Sequence, residues 1–183
     1  MVLTSAYMPP VSWFQAINQT GSIYIEGFDN YTKQTVRNRC RIADSNGVQT
    51  LTVPVESSPF KIHTRDVRIS AHHDWRHQHK SALETAYMNS PFFLYYKDDI
   101  FSIIDKKYTF LYDLNMNLIV KLTELLDIGS TIMATESFSG IQIEPVYTEK
   151  PYWQVFKNRN GFVGNLSILD LLFNTGPEFV YYL

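Results

Sequence analysis

The sequence predicts a single α/β domain over residues 1–183, with a mixed central sheet that includes a β-hairpin and is flanked by helices. Three observations carry that expectation. Residues 31–55 alternate with a period of two on either side of a turn, the pattern of a hairpin. Leu111, Leu114, Leu118, Leu122 and Leu125 make a stripe at helical spacing within residues 108–126. Short apolar runs at 2–7 and 22–26 have the length of strands. The 183 residues suffice for one proper core and are too few for two ordinary domains.

Taken in order, Val2 to Tyr7 is expected to be a buried strand closed by Pro9 and Pro10. Val11 to Ile17 follows as a helix with Trp13, Phe14 and Ile17 inward, and Pro10 suits its first turn. Ser22 to Glu26 is a second strand. In the hairpin, Val36, Asn38, Cys40 and Ile42 share one face and Arg37, Arg39 and Arg41 the other. Asp44, Ser45, Asn46 and Gly47 form the turn, with Asn46 and Gly47 tolerating positive φ. Leu51, Val53 and Val55 line the return strand, which Pro54 ends or places at an edge.

Arg65 to Ser70 alternates as a further strand. Asp74 caps a helix that runs to Met88, with Trp75, His79, Ala82, Leu83, Ala86 and Tyr87 on one face. Pro91 separates it from an aromatic helix over 92–104, and the leucine-striped helix follows. Thr131 to Ala134 is a short strand and 137–150 an acidic loop. Pro151 to Phe156 is expected as an aromatic strand of the central sheet. Asn165 to Phe173 is a helix capped by Asn165 or Ser167 and stopped before Pro177.

Composition narrows the function. Cys40 is the only cysteine, which excludes an intrachain disulfide and points to a reducing cytoplasm. No apolar run approaches the roughly 20 residues of a membrane span, and the N-terminus lacks the features of a signal peptide. The net charge is −2, yet Lys33 to Lys80 holds nine Lys/Arg against four acids and all five histidines. That asymmetry predicts a local site for an anionic small molecule. An acidic chain without an RNA- or DNA-binding motif argues against nucleic acid.

Seven short motifs then recur in a characteristic order. They are Tyr7 with Pro9; Tyr31 and Lys33 with Asn38 and Arg39; Leu51 to Val55; Trp75 and Arg76 with His79; Tyr87 with Pro91, Phe92 and Phe93; Asp113, Leu114 and Asn115; and the run Asn165 to Glu178. Together they resemble the WbqC-like family, bacterial proteins often encoded among genes for O-antigen and other surface polysaccharides. The resemblance implies a transferase-like protein of surface-polysaccharide biosynthesis, acting on a nucleotide sugar or amino sugar by acyl or aminoacyl transfer. The alternative is a non-catalytic ligand-binding or assembly protein that keeps the family fold. Thr4 and Ser5 replace a Gln-Pro pair common in relatives, and a segment of longer relatives is missing between Ser137 and Pro151.

Candidate site residues follow from chemistry and from this resemblance. His79 is either a core histidine or a general base, since an unperturbed imidazole titrates near neutrality. Glu26, at the end of a strand, is the other candidate base. Lys33 and Arg39 are assigned to the anionic part of the ligand, a guanidinium being suited to bidentate phosphate binding. Asn38 is a ligand contact or a backbone-satisfying amide. Tyr7 and Trp153 are candidates to stack on a sugar. Asn115 and Asp170 are polar groups among leucines, so they lock the fold or line a cleft. Cys40 reads as core. His73 and His77 lie four apart, but the sequence has no His-Glu-x-x-His, and no metal site is assigned. No Walker A loop or dinucleotide glycine pattern names a cofactor.

Overall fold

Three strands pair in parallel in a computed structural model that describes residues 1–140 and 142–183. They are Val2–Thr4 (β1), Ser22–Glu26 (β2) and Thr131–Ala134 (β5), with β2 central. Leu3, Ile23 and Ile25 are buried while Tyr24 turns to solvent, the alternation that fixes which face is core. Parallel neighbours need crossovers. Val11–Asn18 (α1) supplies the first, between β1 and β2. A much longer excursion returns to β5, and it carries most of the molecule.

That excursion begins with the hairpin, Arg39–Asp44 (β3) and Gly47–Thr52 (β4), in register from Arg39 opposite Thr52 to Asp44 opposite Gly47. Asp44 Oδ1 accepts the Asn46 N–H at 2.6 Å, and Gly47 takes the positive φ, +122°. The expected α/β class holds, with a hairpin and flanking helices. The hairpin, however, forms its own two-stranded sheet instead of joining the central one. The outer edge of β3 is covered by chain, not by a strand: the Ser167 N–H donates to the Arg41 carbonyl at 2.8 Å.

Trp75–Tyr87 (α2) starts at its Asp74 cap, whose side chain accepts from the His77 N–H. Phe93–Asp105 (α3) and Leu111–Leu125 (α4) follow, with Leu111, Leu114, Leu118 and Leu122 buried as the stripe requires. The short Lys157–Asn160 (α5) precedes Ile168–Thr175 (α6), every residue of which is buried. Ser167 is the cap of α6, because Asn165 spends its side chain on the Ser12 N–H of α1, at 2.9 Å.

Two expected strands are not strands. Residues 64–66 form a 3₁₀ turn, and the segment beyond it makes only single bridges, Ile69 to Val55 and Arg68 to Phe110. Its partner segment contains Pro54, which offers a carbonyl to the Ser70 N–H but has no N–H to return. Pro151 to Phe156 keeps the alternation of a strand, with Tyr152 and Gln154 in and Trp153 out, yet among the described residues no strand pairs with it. The Gln154 amide replaces one. It accepts from the Val163 N–H and donates to the Val163 carbonyl, both at 3.0 Å.

Candidate functional site: an arginine-lined cavity

Alternation along β3 places Arg39 and Arg41 on the face opposite the buried Cys40 and Ile42. Arg37, in the turn just before the strand, points the same way. All three line a cavity of about 630 Å³, a size that suits a sugar-based ligand. Its other walls come from Thr4 at the carboxyl end of β1, Trp13 in the first turn of α1, and the 142–145 segment with Glu144. Carboxyl ends of parallel strands are where α/β folds bind ligands.

The walls carry an unusual set of donors. Thr4 Oγ1, Trp13 Nε1, Arg37 Nε and Arg39 Nε are all buried and meet no partner among the described residues. Buried polar groups are nearly always bonded, so four such groups around one cavity call for a ligand or solvent rich in acceptors. The backbone does not compete for that role. The Val11 N–H is bonded to Leu166 O, that of Ser12 to Asn165 Oδ1 and that of Trp13 to Pro10 O. The Tyr31 hydroxyl is also buried without a partner among the described residues. Burial raises its pKa against the opposing pull of Arg37 and Arg39, so it stays a neutral phenol beside two guanidinium groups.

Charge in the cavity is uneven. Arg37 is paired with Asp29, which also accepts from Thr64. Among the described residues, Arg39 and Arg41 have no ion-pair partner. Glu144, exposed on the same cavity, has none either.

The loop that bears the arginines is held from beneath. Asn115, fully buried in α4, donates to the Arg37 carbonyl at 2.8 Å and to Ser5 Oγ at 2.9 Å. The Tyr7 N–H donates to the Val36 carbonyl at 2.8 Å. Asn38 extends the hairpin ladder by one step: its carbonyl accepts the Val53 N–H at 2.8 Å and its Nδ2 donates to Val53 O at 3.1 Å. The Tyr7 hydroxyl and His79 Nδ1 are bonded at 2.8 Å, both buried. The His79 ring also makes a backbone hydrogen bond to Thr52, the residue opposite Arg39. Burial lowers the imidazole pKa to about 4 in spite of that bond. A neutral ring that donates to the Thr52 carbonyl presents Nδ1 as acceptor, so the Tyr7 hydroxyl is the donor. Burial also raises the phenol pKa well above its ordinary value, which keeps its proton in place.

Residues 4–144 and 129–182 match the WbqC-like protein family. The chain belongs to it. The two matched stretches overlap over residues 129–144, which hold β5 and the cavity wall at 142–144. The chain is also similar to Uncharacterized protein Rv1507c of Mycobacterium tuberculosis, with 28% identity over all of this chain and 96% of the relative. That alignment runs over 222 positions against 183 residues here, so the relative carries inserted residues. No solved structure matches the chain.

In this WbqC-like chain the candidate residues fall into three groups. Arg39 alone lines the cavity. Tyr7, Asn38, His79 and Asn115 lie beneath it, with their side chains engaged as described. Glu26, Lys33, Trp153 and Asp170 lie elsewhere. Glu26 stands opposite Thr4 across the sheet but turns away, accepting from Phe28 N, Thr135 Oγ1, Ser139 N and Ser139 Oγ at 2.7–3.1 Å. Burial alone would raise its pKa, but these four bonds outweigh it and hold the carboxylate below its ordinary value. Asp170 accepts from Tyr87, Tyr152 and Gln154 at 2.6–2.9 Å, and burial raises its pKa against those bonds. Lys33 is exposed and off the cavity, as is Trp153.

His72, His73 and His77 are exposed while His79 is buried. Among the described residues no group of three or more His, Cys, Asp or Glu side chains is placed to hold a metal ion. Burial pushes the Cys40 thiol pKa up, and its Sγ lies 3.8 Å from Met8 Sδ. No helix among the described residues is long and apolar enough to cross a membrane. Thr4, Trp13, Arg41 and Glu144 were not assigned from the sequence. The sequence signalled the hairpin side of the cavity, through its alternating arginines and the local excess of basic residues.

Proposed function

We propose that the arginine cavity binds a phosphorylated sugar of the nucleotide-sugar class, and that the protein serves surface-polysaccharide biosynthesis as a sugar-phosphate binding protein of the cytoplasm. One observation carries the reading. Four buried side-chain donors without a partner among the described residues, two of them on guanidinium groups, surround a single cavity. Phosphate oxygens supply acceptors in the number and charge that such donors require. The expected asymmetry of charge, basic around the hairpin and acidic elsewhere, supports the same ligand class. A single cysteine suits the cytoplasm. Transfer of an acyl or aminoacyl group to the bound sugar is the second reading. It is favoured by Glu144, a carboxylate on the cavity that has no ion-pair partner among the described residues.

The test is a titration of the protein with UDP-glucose, glucose 1-phosphate and glucose. The two phosphorylated compounds should raise the melting temperature, the shift should shrink as salt is added, and Arg39→Gln should diminish it. A shift from glucose alone, or one from the phosphates that is undiminished in Arg39→Gln, would sink the reading.

A further inference from the structure

The cavity carries free charge of both signs. Arg39 and Arg41 stand on the hairpin side and Glu144 on the 142–145 segment, and among the described residues no ion pair joins them to each other or to anything else. Opposite charges that merely decorate a surface gain little from pairing and are often unpaired. Here they share the walls of one concave site, so both fields act on whatever enters it.

Backbone bonding holds Glu144 where it is. The Ile143 N–H donates to the Val2 carbonyl of β1 at 3.0 Å, placing the segment along the outer edge of the sheet. Four residues beyond Glu144, the Thr148 N–H donates to Gln15 Oε1 at 3.0 Å and the Thr148 carbonyl accepts from Gln15 Nε2 at 2.9 Å. Gln15 is buried in α1, the helix that also brings Trp13 to the cavity. The segment is therefore anchored on both sides of Glu144, to β1 and α1, which bring Thr4 and Trp13 to the same cavity.

Resting on the sugar-phosphate reading, we infer that Glu144 is a specificity residue that reads a positive charge on the ligand. The ligand class is a zwitterion. Its phosphate lies against Arg39 and Arg41, and an ammonium group elsewhere on the same molecule lies against the Glu144 carboxylate. A ligand without the amine would leave the carboxylate facing its hydroxyls and phosphate, at a small electrostatic disadvantage. Glu144 is solvated, so the preference for the amine is of surface-pair size, about threefold to fivefold.

Glucosamine 1-phosphate and glucose 1-phosphate differ only in one amine for hydroxyl, which makes them the probes. Titration calorimetry on the full chain at pH 6.5 and low salt should show the wild type binding glucosamine 1-phosphate about threefold to fivefold more tightly. Glu144→Gln should bring the two affinities together, chiefly by weakening the amine compound, without changing the melting temperature of the ligand-free protein. Equal affinities in the wild type would overturn the inference and leave the sugar-phosphate reading standing. A preference that persists in Glu144→Gln would overturn it too. Binding of neither compound would remove the sugar-phosphate reading, and the inference with it.

Discussion

Asn115 and Arg37 are joined through 2.8 Å from the side-chain amide of a buried helix residue to the carbonyl of an arginine on the cavity wall. The bond links the middle of α4 to the turn that launches β3, and the same amide holds Ser5 just past the end of β1. Three elements therefore meet at one side chain. Asn115→Leu keeps the approximate volume but loses both bonds and leaves the Arg37 carbonyl without that donor. A loss of about 1–3 kcal/mol in urea unfolding is expected, together with weaker binding of glucose 1-phosphate. Unchanged stability would mean that the turn is held by other contacts.

His79 makes stability depend on pH. Its pKa is lowered to about 4 in the folded protein, against about 6.5 in the unfolded chain. Between those values the unfolded state binds the extra proton, so the contribution is fully present above pH 6.5 and is lost as pH falls towards 4. The shift sets an upper limit of about 3 kcal/mol on the loss. In His79→Gln this part of the acid sensitivity should disappear, and the variant should be less stable at neutral pH because the Tyr7 and Thr52 bonds are remade poorly. Parallel wild-type and variant curves between pH 7 and 4.5 would contradict the assignment.

The elements whose pattern is complete within themselves were legible in the sequence. The β2 and β5 strands, the α2 cap at Asp74 and the leucine stripe of α4 are local regularities, and each stands where periodicity put it. Elements that depend on a neighbour were not. Pro151 to Phe156 has strand alternation, but whether a strand lies beside it is a tertiary fact, and the Gln154 side chain takes that place. The site divides the same way. Three arginines at a period of two marked one wall of the cavity. Thr4, Trp13 and Glu144 belong to distant segments, and only the folded chain brings them together. Asn38, His79 and Asn115 are polar residues among apolar ones in the sequence, a pattern shared by residues that line a cleft and residues that prop its wall.

Gly47 tests the hairpin itself. Its φ is +122°, and no atom lies near where a Cβ would stand, so any penalty for a side chain there is backbone strain alone. Gly47→Val should destabilise by roughly 1 kcal/mol or more, seen as a lower midpoint in thermal or urea unfolding. An unaltered midpoint would show that the turn relaxes at no cost.

Tyr152 donates to Asp170 at 2.6 Å in a buried cluster that also includes Tyr87 and Gln154. Tyr152→Phe removes one of the bonds that oppose the burial-driven rise in the Asp170 pKa. The variant should lose about 1.5–3 kcal/mol of stability, as for a hydrogen bond to a charged group. It should leave affinity for sugar phosphates intact, because none of the cluster lines the arginine cavity. A selective loss of binding without loss of stability would place the cluster in the site after all.

Arg39 separates charge from geometry in the cavity. Its Nε–H is buried and has no partner among the described residues, whereas Arg41 on the same face is exposed. If the ligand is held only by positive potential, Arg39→Lys keeps the charge and should bind glucose 1-phosphate as the wild type does. If the guanidinium fork and its Nε–H engage phosphate oxygens, lysine cannot replace them. Losing one charge-assisted hydrogen bond then lowers affinity by roughly tenfold to a hundredfold. The salt dependence should change little in Arg39→Lys, since the charge remains, and should flatten in Arg39→Gln. Arg41→Gln should flatten the salt dependence too, but with an affinity loss of only about fivefold or less, as for an exposed charge. The four titrations, each repeated at two ionic strengths, tell the cases apart. Wild-type affinity in Arg39→Lys would remove the bidentate contact and leave a diffuse basic patch in its place.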